Sequence, residues 1–298
     1  MKKKLTKDEI KGRGFKYIGR TAWLWTIPGI LIYIIFRWYP VLLSFVVSLQ
    51  KYQILGKSTF IGLLNFNNLI SDPMFFIVFR NTLYYTALSL ALVFLPPIFV
   101  SILLMEMRRS VIAIMMILWF IPVGSIASVV LWKWFYNTQY GLLNGILVSL
   151  GLPTSGWLND ARLTMFCLVL PGLIMYGPGL IYIASIQSIP EEMYEAAELE
   201  GAGFWQKIWH ITLPRLRPII AMLLILAIIG NMQMFNQAYI MTGGGPHDVT
   251  RTVVMYIYRM AFQRFKFGYA TALAVVLFFV LFVLIYLQRK YFKENPDI

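Results

Sequence analysis

Four side-chain amides, Asn231, Gln233, Asn236 and Gln237, punctuate the stretch GNMQMFNQAYIMT within an otherwise apolar run. An amide in hydrocarbon is costly unless partnered, and each carries donors and acceptors together, which suits a polyhydroxylated ligand. On a continuous helix turning about 100° per residue, Gln233, Asn236 and Gln237 fall within an arc of about 100°, while Asn231 projects roughly opposite its middle. The first three are the better candidates to line a path for such a ligand. Hydrogen bonding between neighbouring helices is the competing use of each amide. Upstream, MYGPGLIY supplies Tyr176 and Tyr182 beside a glycine-proline break. Their rings could stack on a ligand's apolar face or belong to an interfacial aromatic belt.

Other chemistry-bearing residues do not assemble. GKST, Gly56 to Thr59, has the ending of a phosphate-binding loop, but that loop needs a glycine five residues before Gly56 and the chain has Lys51 there. His210 and His247 flank an apolar run long enough to cross a bilayer, so they cannot share a metal. Glu106 borders an apolar run beside Arg108, a setting for a solvated ion pair rather than a proton relay. The single cysteine, Cys167, excludes an intrachain disulfide and a multi-thiolate site, and is expected to pack as a small hydrophobe. With no nucleophile and base, carboxylate pair or metal cluster, the chain is not expected to be an enzyme or to hold a cofactor of its own.

The elements that carry these residues are apolar to a degree that soluble domains do not reach. Of 298 residues 59% are hydrophobic and 13% charged, against roughly 25% charged in a typical soluble domain. The net charge of +13 would suit nucleic acid in a soluble protein, but the basic residues gather at the ends of apolar runs, where they meet lipid headgroups and set topology. The partner is the bilayer, with no nucleic acid. Six runs approach the ~20 residues needed to cross it: Thr21 to Leu49, Phe79 to Met105, Ser110 to Trp134, Leu163 to Ile186, Pro218 to Met241 and Tyr269 to Leu287. The first contains Arg37 and Pro40, yet splitting it would leave two pieces too short to span. It also lacks a convincing cleavage site, so the basic start MKKKLTKDEIKGRGFKYIGR precedes a retained span rather than a removed signal. With six spans, the side holding the termini carries sixteen lysines and arginines and the other side nine, which places both termini in the cytoplasm. Prolines within or beside the spans, among them Pro96, Pro97, Pro122, Pro171 and Pro178, are sites of kinking.

Between spans four and five this topology exposes a segment unlike the rest, EEMYEAAELEGAGFWQKIWHITLPRLRP, to the cytoplasm. Ser188 followed by Glu191 has capping-box spacing, which predicts a helix from about Ile189 that Gly201 stops. Glu191, Glu195 and Glu198 share one face; Tyr194, Ala197 and Gly201 define a flatter one that a partner could approach closely. FWQKIWHI predicts a second short helix, with Phe204, Trp205, Ile208 and Trp209 against apolar surface, ended by Pro214 and Pro218 before span five. A short helix tied at both ends to membrane helices can transmit a push; an amphipathic loop lying on lipid is the plainer use of the same pattern.

Here the sequence resembles a known family. Glu195, Ala196, Ala197, then three residues, Gly201, nine residues, Ile211, one residue, Leu213 and Pro214 reproduce the E-A-A-x3-G-x9-I-x-L-P pattern of the permease subunits of binding-protein-dependent ABC importers at every fixed position. MTGGGPHDVTRTVVMYIYRMAFQRFKFGYATALA, Met241 to Ala274, and FIGLLNFNNLISDPMFFIVFRNTLYYT, Phe60 to Thr86, are similar to the carbohydrate branch, in its maltose F-type and glycerol-phosphate A-type members. The resemblance runs from about Tyr39 to the last span. It implies an all-α polytopic membrane protein whose loop supplies a coupling helix to a cytoplasmic ATPase, with Glu195, Ala196, Ala197, Gly201, Ile211, Leu213 and Pro214 as the coupling set. It also places Asn231 in the segment where sugar contacts occur.

The resulting expectation is a non-catalytic transmembrane subunit of an ABC sugar importer in a bacterial or archaeal cytoplasmic membrane. It divides into a basic cytoplasmic N-terminus (1–20), a six-helix permease domain (21–290, coupling loop 187–217) and a cytoplasmic tail (291–298). Asn231, Gln233, Asn236, Gln237 and Tyr176 form the candidate substrate set. The resemblance implies two ATPase subunits that bind ATP and magnesium, a second permease subunit and an extracellular solute-binding protein. An ion-coupled secondary transporter of a polar solute is the alternative; it requires acidic or histidine residues mid-span and inverted repeats, and neither is evident.

Overall fold

A computed structural model describes residues 24–105, 107–120, 126–174 and 179–293. In chain order its helices are α1 (Leu24–Ser48), α2 (Leu64–Ile70), α3 (Pro73–Met105), α4 (Arg109–Phe120), α5 (Ile126–Phe135), α6 (Leu142–Ser149), α7 (Thr164–Ile174), α8 (Gly179–Gln187), α9 (Glu191–Leu199), α10 (Phe204–Met232), α11 (Val253–Tyr258) and α12 (Phe267–Lys293). Among the described residues, the departure from an all-α expectation is an antiparallel hairpin of β1 (Gln50–Lys51) and β2 (Thr59–Phe60), in which Gln50 pairs with Phe60. GKST lies in this hairpin rather than in a strand-to-helix turn.

α1, α3, α10 and α12 are each long and apolar enough to cross a membrane. Within the runs expected to be spans three and four, the described residues form α4 and α5, and α7 and α8. Pro122, Tyr176 and Pro178 lie between those pairs, outside the described residues, as do Glu106 and the basic N-terminus.

Prolines in the long helices do not break them. The π-helical segments Ile34–Trp38, Leu90–Phe94 and Ile208–Thr212 end two residues before Pro40, Pro96 and Pro214. In each, the residue just ahead of the proline donates its N–H five residues back: Tyr39 to Ile34, Leu95 to Leu90 and Leu213 to Ile208. A proline ring clashes with the carbonyl four residues earlier and disfavours α geometry in the residue before it. One wider turn relieves both constraints, and the helix continues. FWQKIWHI is therefore not a separate short helix: it is the first part of α10, which runs through Pro214 and Pro218.

Three buried clusters share α3 as their spine. One joins Val78 of α3 to Tyr256 of α11 and Leu273 of α12. A second gathers Tyr85, Trp132, Met165, Cys167 and Met234, so Cys167 is the packed small hydrophobe expected of it. A third packs Phe94, Ile98 and Ile102 against Tyr182 of α8 and Leu216 of α10. Tyr182 is fully buried there, which removes it from the ligand-stacking candidates. By contrast α1 is almost wholly exposed until its end, where Phe45 meets Phe278 and Phe279 of α12 edge-on at 5.8 and 6.1 Å. The start of α12 passes so close to β1 that a Cβ on Gly268 would stand 2.0 Å from the Gln50 carbonyl oxygen. Only glycine permits that approach.

Candidate functional site

Two groups of candidate residues lie on α9–α10 and at the end of α10. α9 begins at Glu191 with Pro190 as its N-cap and no side-chain cap. The expected Ser188–Glu191 capping box does not form, because the Ser188 hydroxyl donates to the Ser185 carbonyl at 2.7 Å and closes α8 instead. The capping geometry appears one helix later, where Gln206 Oε1 accepts the Gly203 N–H at 2.7 Å. α9 ends as expected at Gly201. With φ at +81° this residue turns the chain, the Ala202 N–H returns to the Ala197 carbonyl at 2.8 Å, and the Gly201 N–H reaches the Glu198 carbonyl at 2.9 Å. This is the paired bond pattern of a Schellman stop, and it needs a left-handed residue.

The turn folds α9 back against α10. Lys207 Nζ meets Glu198 Oε1 at 2.6 Å, and the Tyr194 hydroxyl shares a 3.0 Å hydrogen bond with the Thr212 hydroxyl. Tyr194 is therefore turned inward, correcting its assignment to an open face with Ala197 and Gly201. Ala196, Ala197, Gly201 and Ile211 converge on one groove of ≈ 600 Å³, together with Met193 and His210. Leu213 and Pro214 lie on a different side, against Trp209, Arg217 and Phe292. Glu195 is exposed outside both. Trp205 and Trp209 are exposed too, while Ile208 is buried, so half of the predicted apolar face is largely exposed. Behind α9 a second cavity of ≈ 680 Å³ reaches Met105 and Met116, so the helix stands off the bundle.

At its other end α10 stops early. Met232 is its last residue, Gln233 to Phe235 leave the helix, and a new turn runs through the π-helical segment Ala238–Thr242. No proline or glycine lies within the break itself, although Gly230 stands in the last turn of α10. Its Met234 carbonyl accepts from the buried Thr252 hydroxyl at 2.8 Å, which satisfies the group that a continuous helix would have paired. The amides are thus not on one regular helix, and the arc drawn for them does not apply. Asn231 is tied to α3, where its Oδ1 accepts from Ser89 at 3.1 Å. Gln233 and Asn236 are exposed, and Gln237 is half-buried.

Beyond the break, a clamp that the sequence reading missed fastens the segment to α3. Asn81 donates to the carbonyls of Asp248 and Arg251 at 2.7 and 3.1 Å, and Thr82 Oγ1 accepts from the Val253 N–H at 3.0 Å. Asp72 caps α3 at the Met74 N–H and accepts from the phenols of Tyr256 and Tyr269, both at 2.6 Å. Burial works to raise the Asp72 pKa, but those three donors and the Arg264 charge outweigh it and hold the carboxyl below its ordinary value. Burial and the bond to Asp72 push the Tyr256 phenol up to about 12. The Ser-Asp-Pro run before Met74 was a readable N-cap signal; the tyrosines, 184 and 197 residues away, were not.

Residues 83–293 match the family described as the binding-protein-dependent transport system inner membrane component, and this span includes both groups of candidate residues. The chain belongs to that family. The probable ABC transporter permease protein YurN of Bacillus subtilis strain 168 is 32% identical, over 92% of this chain and 97% of its own. The arabinooligosaccharides transport system permease protein AraP of the same strain is 31% identical, over 90% of this chain and 87% of its own. Among solved structures, a chain of a bacterial alginate ABC transporter, in complex with its alginate pentasaccharide-bound periplasmic protein, superposes with a TM-score of 0.79 at 25% identity, covering 93% of this chain and 96% of that one. Members of this family are membrane-embedded transport components rather than enzymes.

Proposed function

We propose that this chain is one transmembrane subunit of an ATP-driven importer of a sugar or oligosaccharide, with six spans and both termini in the cytoplasm. α4 with α5 and α7 with α8 supply the third and fourth crossings. The observation that carries the reading is α9, a short helix held by a left-handed stop, presenting a groove floored by Ala196, Ala197 and Gly201 and backed by a cavity. Small side chains let a partner reach the backbone. The cavity leaves room to move, and Tyr194–Thr212 with Lys207–Glu198 passes displacement directly into α10. α10 in turn leads to the broken segment with the amides.

The partners are two cytoplasmic ATPase subunits, which bind the ATP and magnesium, a second permease subunit, and an external binding protein that delivers the sugar. The names of AraP and of the alginate transporter support the substrate class. Gln233, Asn236 and Gln237 line the path, and Asn231 sets the angle between the break and α3. Among the described residues no Asp or Glu lies within α1, α3, α4, α5, α7, α8, α10 or α12, which speaks against the ion-coupled alternative. Proteoliposomes holding the purified permease pair, with and without the ATPase pair, test this reading. Uptake of binding-protein-delivered sugar should need both the ATPase and ATP. Uptake by the permease pair alone, driven by an ion gradient, would contradict it.

A further inference from the structure

The exposed side of the broken segment holds a residue that the amide pattern did not point to. Gln233, Asn236 and Tyr239 are all exposed, whereas Met234, Ala238 and Met241 on the other side are buried. Tyr239 is 40% exposed and rests against Phe235, the rings 5.0 Å apart and 17° from parallel. Tyr258 of α11 meets Tyr239 edge-on at 5.5 Å and Phe235 at 5.3 Å. A ring fixed on two sides has little rotamer freedom left to lose when something stacks on it. Amides have no place against lipid tails, so the exposed Asn236, one turn before Tyr239 in the same helical stretch, and the exposed Gln233 just ahead of it point to a wet path here.

We propose that Tyr239, backed by Phe235 and flanked by Tyr258, is a stacking platform for a pyranose or furanose ring on its way to Gln233 and Asn236. The C–H face of a sugar ring is apolar and matches the aromatic face, while its hydroxyls reach the amides one turn further along. An interfacial belt tyrosine sits among headgroups; this cluster adjoins exposed amides instead, and their donors and acceptors favour a sugar as the occupant. The inference rests on the importer reading.

The chain's single cysteine is 2% exposed, so Y239C in the complete transporter is labelled against little background. Its reactivity toward a water-soluble and a bilayer-partitioning maleimide should be compared with that of F282C, a site 60% exposed on α12. The measurement is repeated with binding protein loaded with an arabino-oligosaccharide or an alginate oligomer. The expected result is labelling of Y239C from water, slowed by at least one of the two sugars, with F282C labelled only from the bilayer. Uptake should fall about tenfold in Y239A and stay within about twofold in Y239F, since a lost ring contact is worth up to one factor of ten. Labelling of Y239C only from the bilayer, no protection by either sugar, or Y239A uptake equal to wild type each overturns the proposal. Failure of the importer reading is distinguishable, because wild-type uptake would then be independent of the ATPase.

Discussion

Gly201 and Asp72 show how single residues hold the working parts in place. Gly201 has open space around a would-be Cβ but a φ of +81°, so the demand on it is conformational and not steric. G201A should destabilise the turn by about 1 kcal/mol, and G201N by less, because asparagine tolerates the left-handed region. Hydrogen exchange at the Ala202 amide, which should quicken in the order wild type, G201N, G201A, checks this. Asp72 is a second case with a definite sign. Its carboxyl is held below the ordinary value, so its contribution is complete above the unfolded pKa and is lost as pH falls through the lower folded one. At pH 7, D72N should melt roughly 2–4 °C below wild type, the shift expected for about 1 kcal/mol in a chain of this size. The gap should narrow below pH ~4 as wild type loses its charge; a constant gap in thermal unfolding from pH 7 to 3 would show that the charge at Asp72 is not what matters.

At the scale of elements, apolar runs were enough to place α1 and α12, but not the ends or breaks of α3 and α10. α3 begins at Pro73 rather than Phe79 because Asp72 caps it, a polar signal that a search for hydrophobic length passes over. The proline-based stop expected after FWQKIWHI fails because a π turn ahead of Pro214 absorbs the clash, which cannot be inferred from proline position alone. The break at Gln233 has only Gly230 as a local signal and is held through the Met234 carbonyl by Thr252, eighteen residues beyond Met234. T252V should therefore leave the Met234 carbonyl unpaired at a cost of about 1–3 kcal/mol. It should lower the melting temperature and uptake together while leaving ATPase docking intact, which thermal unfolding and co-purification read separately. The Lys207–Glu198 bridge should matter less. Glu198 is well exposed, and a double-mutant cycle of K207A and E198A is expected to give a coupling below about 1 kcal/mol that shrinks with added salt.

For the whole molecule, the segment proposed to couple was legible in the sequence because its motif is local, from Glu195 to Pro214, whereas the proposed path was only half legible because its geometry depends on contacts between distant segments. The structure gathers Ala196, Ala197, Gly201 and Ile211 into one groove and sends Leu213 and Pro214 to another side. One motif therefore contributes both to the groove proposed for docking and to the early part of α10. From α9 to the amides the connection is a single helix, α10, which continues through its prolines and ends where the exposed amides begin. On the proposed function, movement of α9 would reach the broken segment through this one continuous helix. The most direct test is crosslinking from A197C, with the native cysteine buried, in membranes that contain the ATPase subunits. A crosslink to the ATPase whose yield changes between nucleotide-free and ATP-bound states is the result expected. Efficient crosslinking to lipid or to no partner, with uptake intact, would contradict the account.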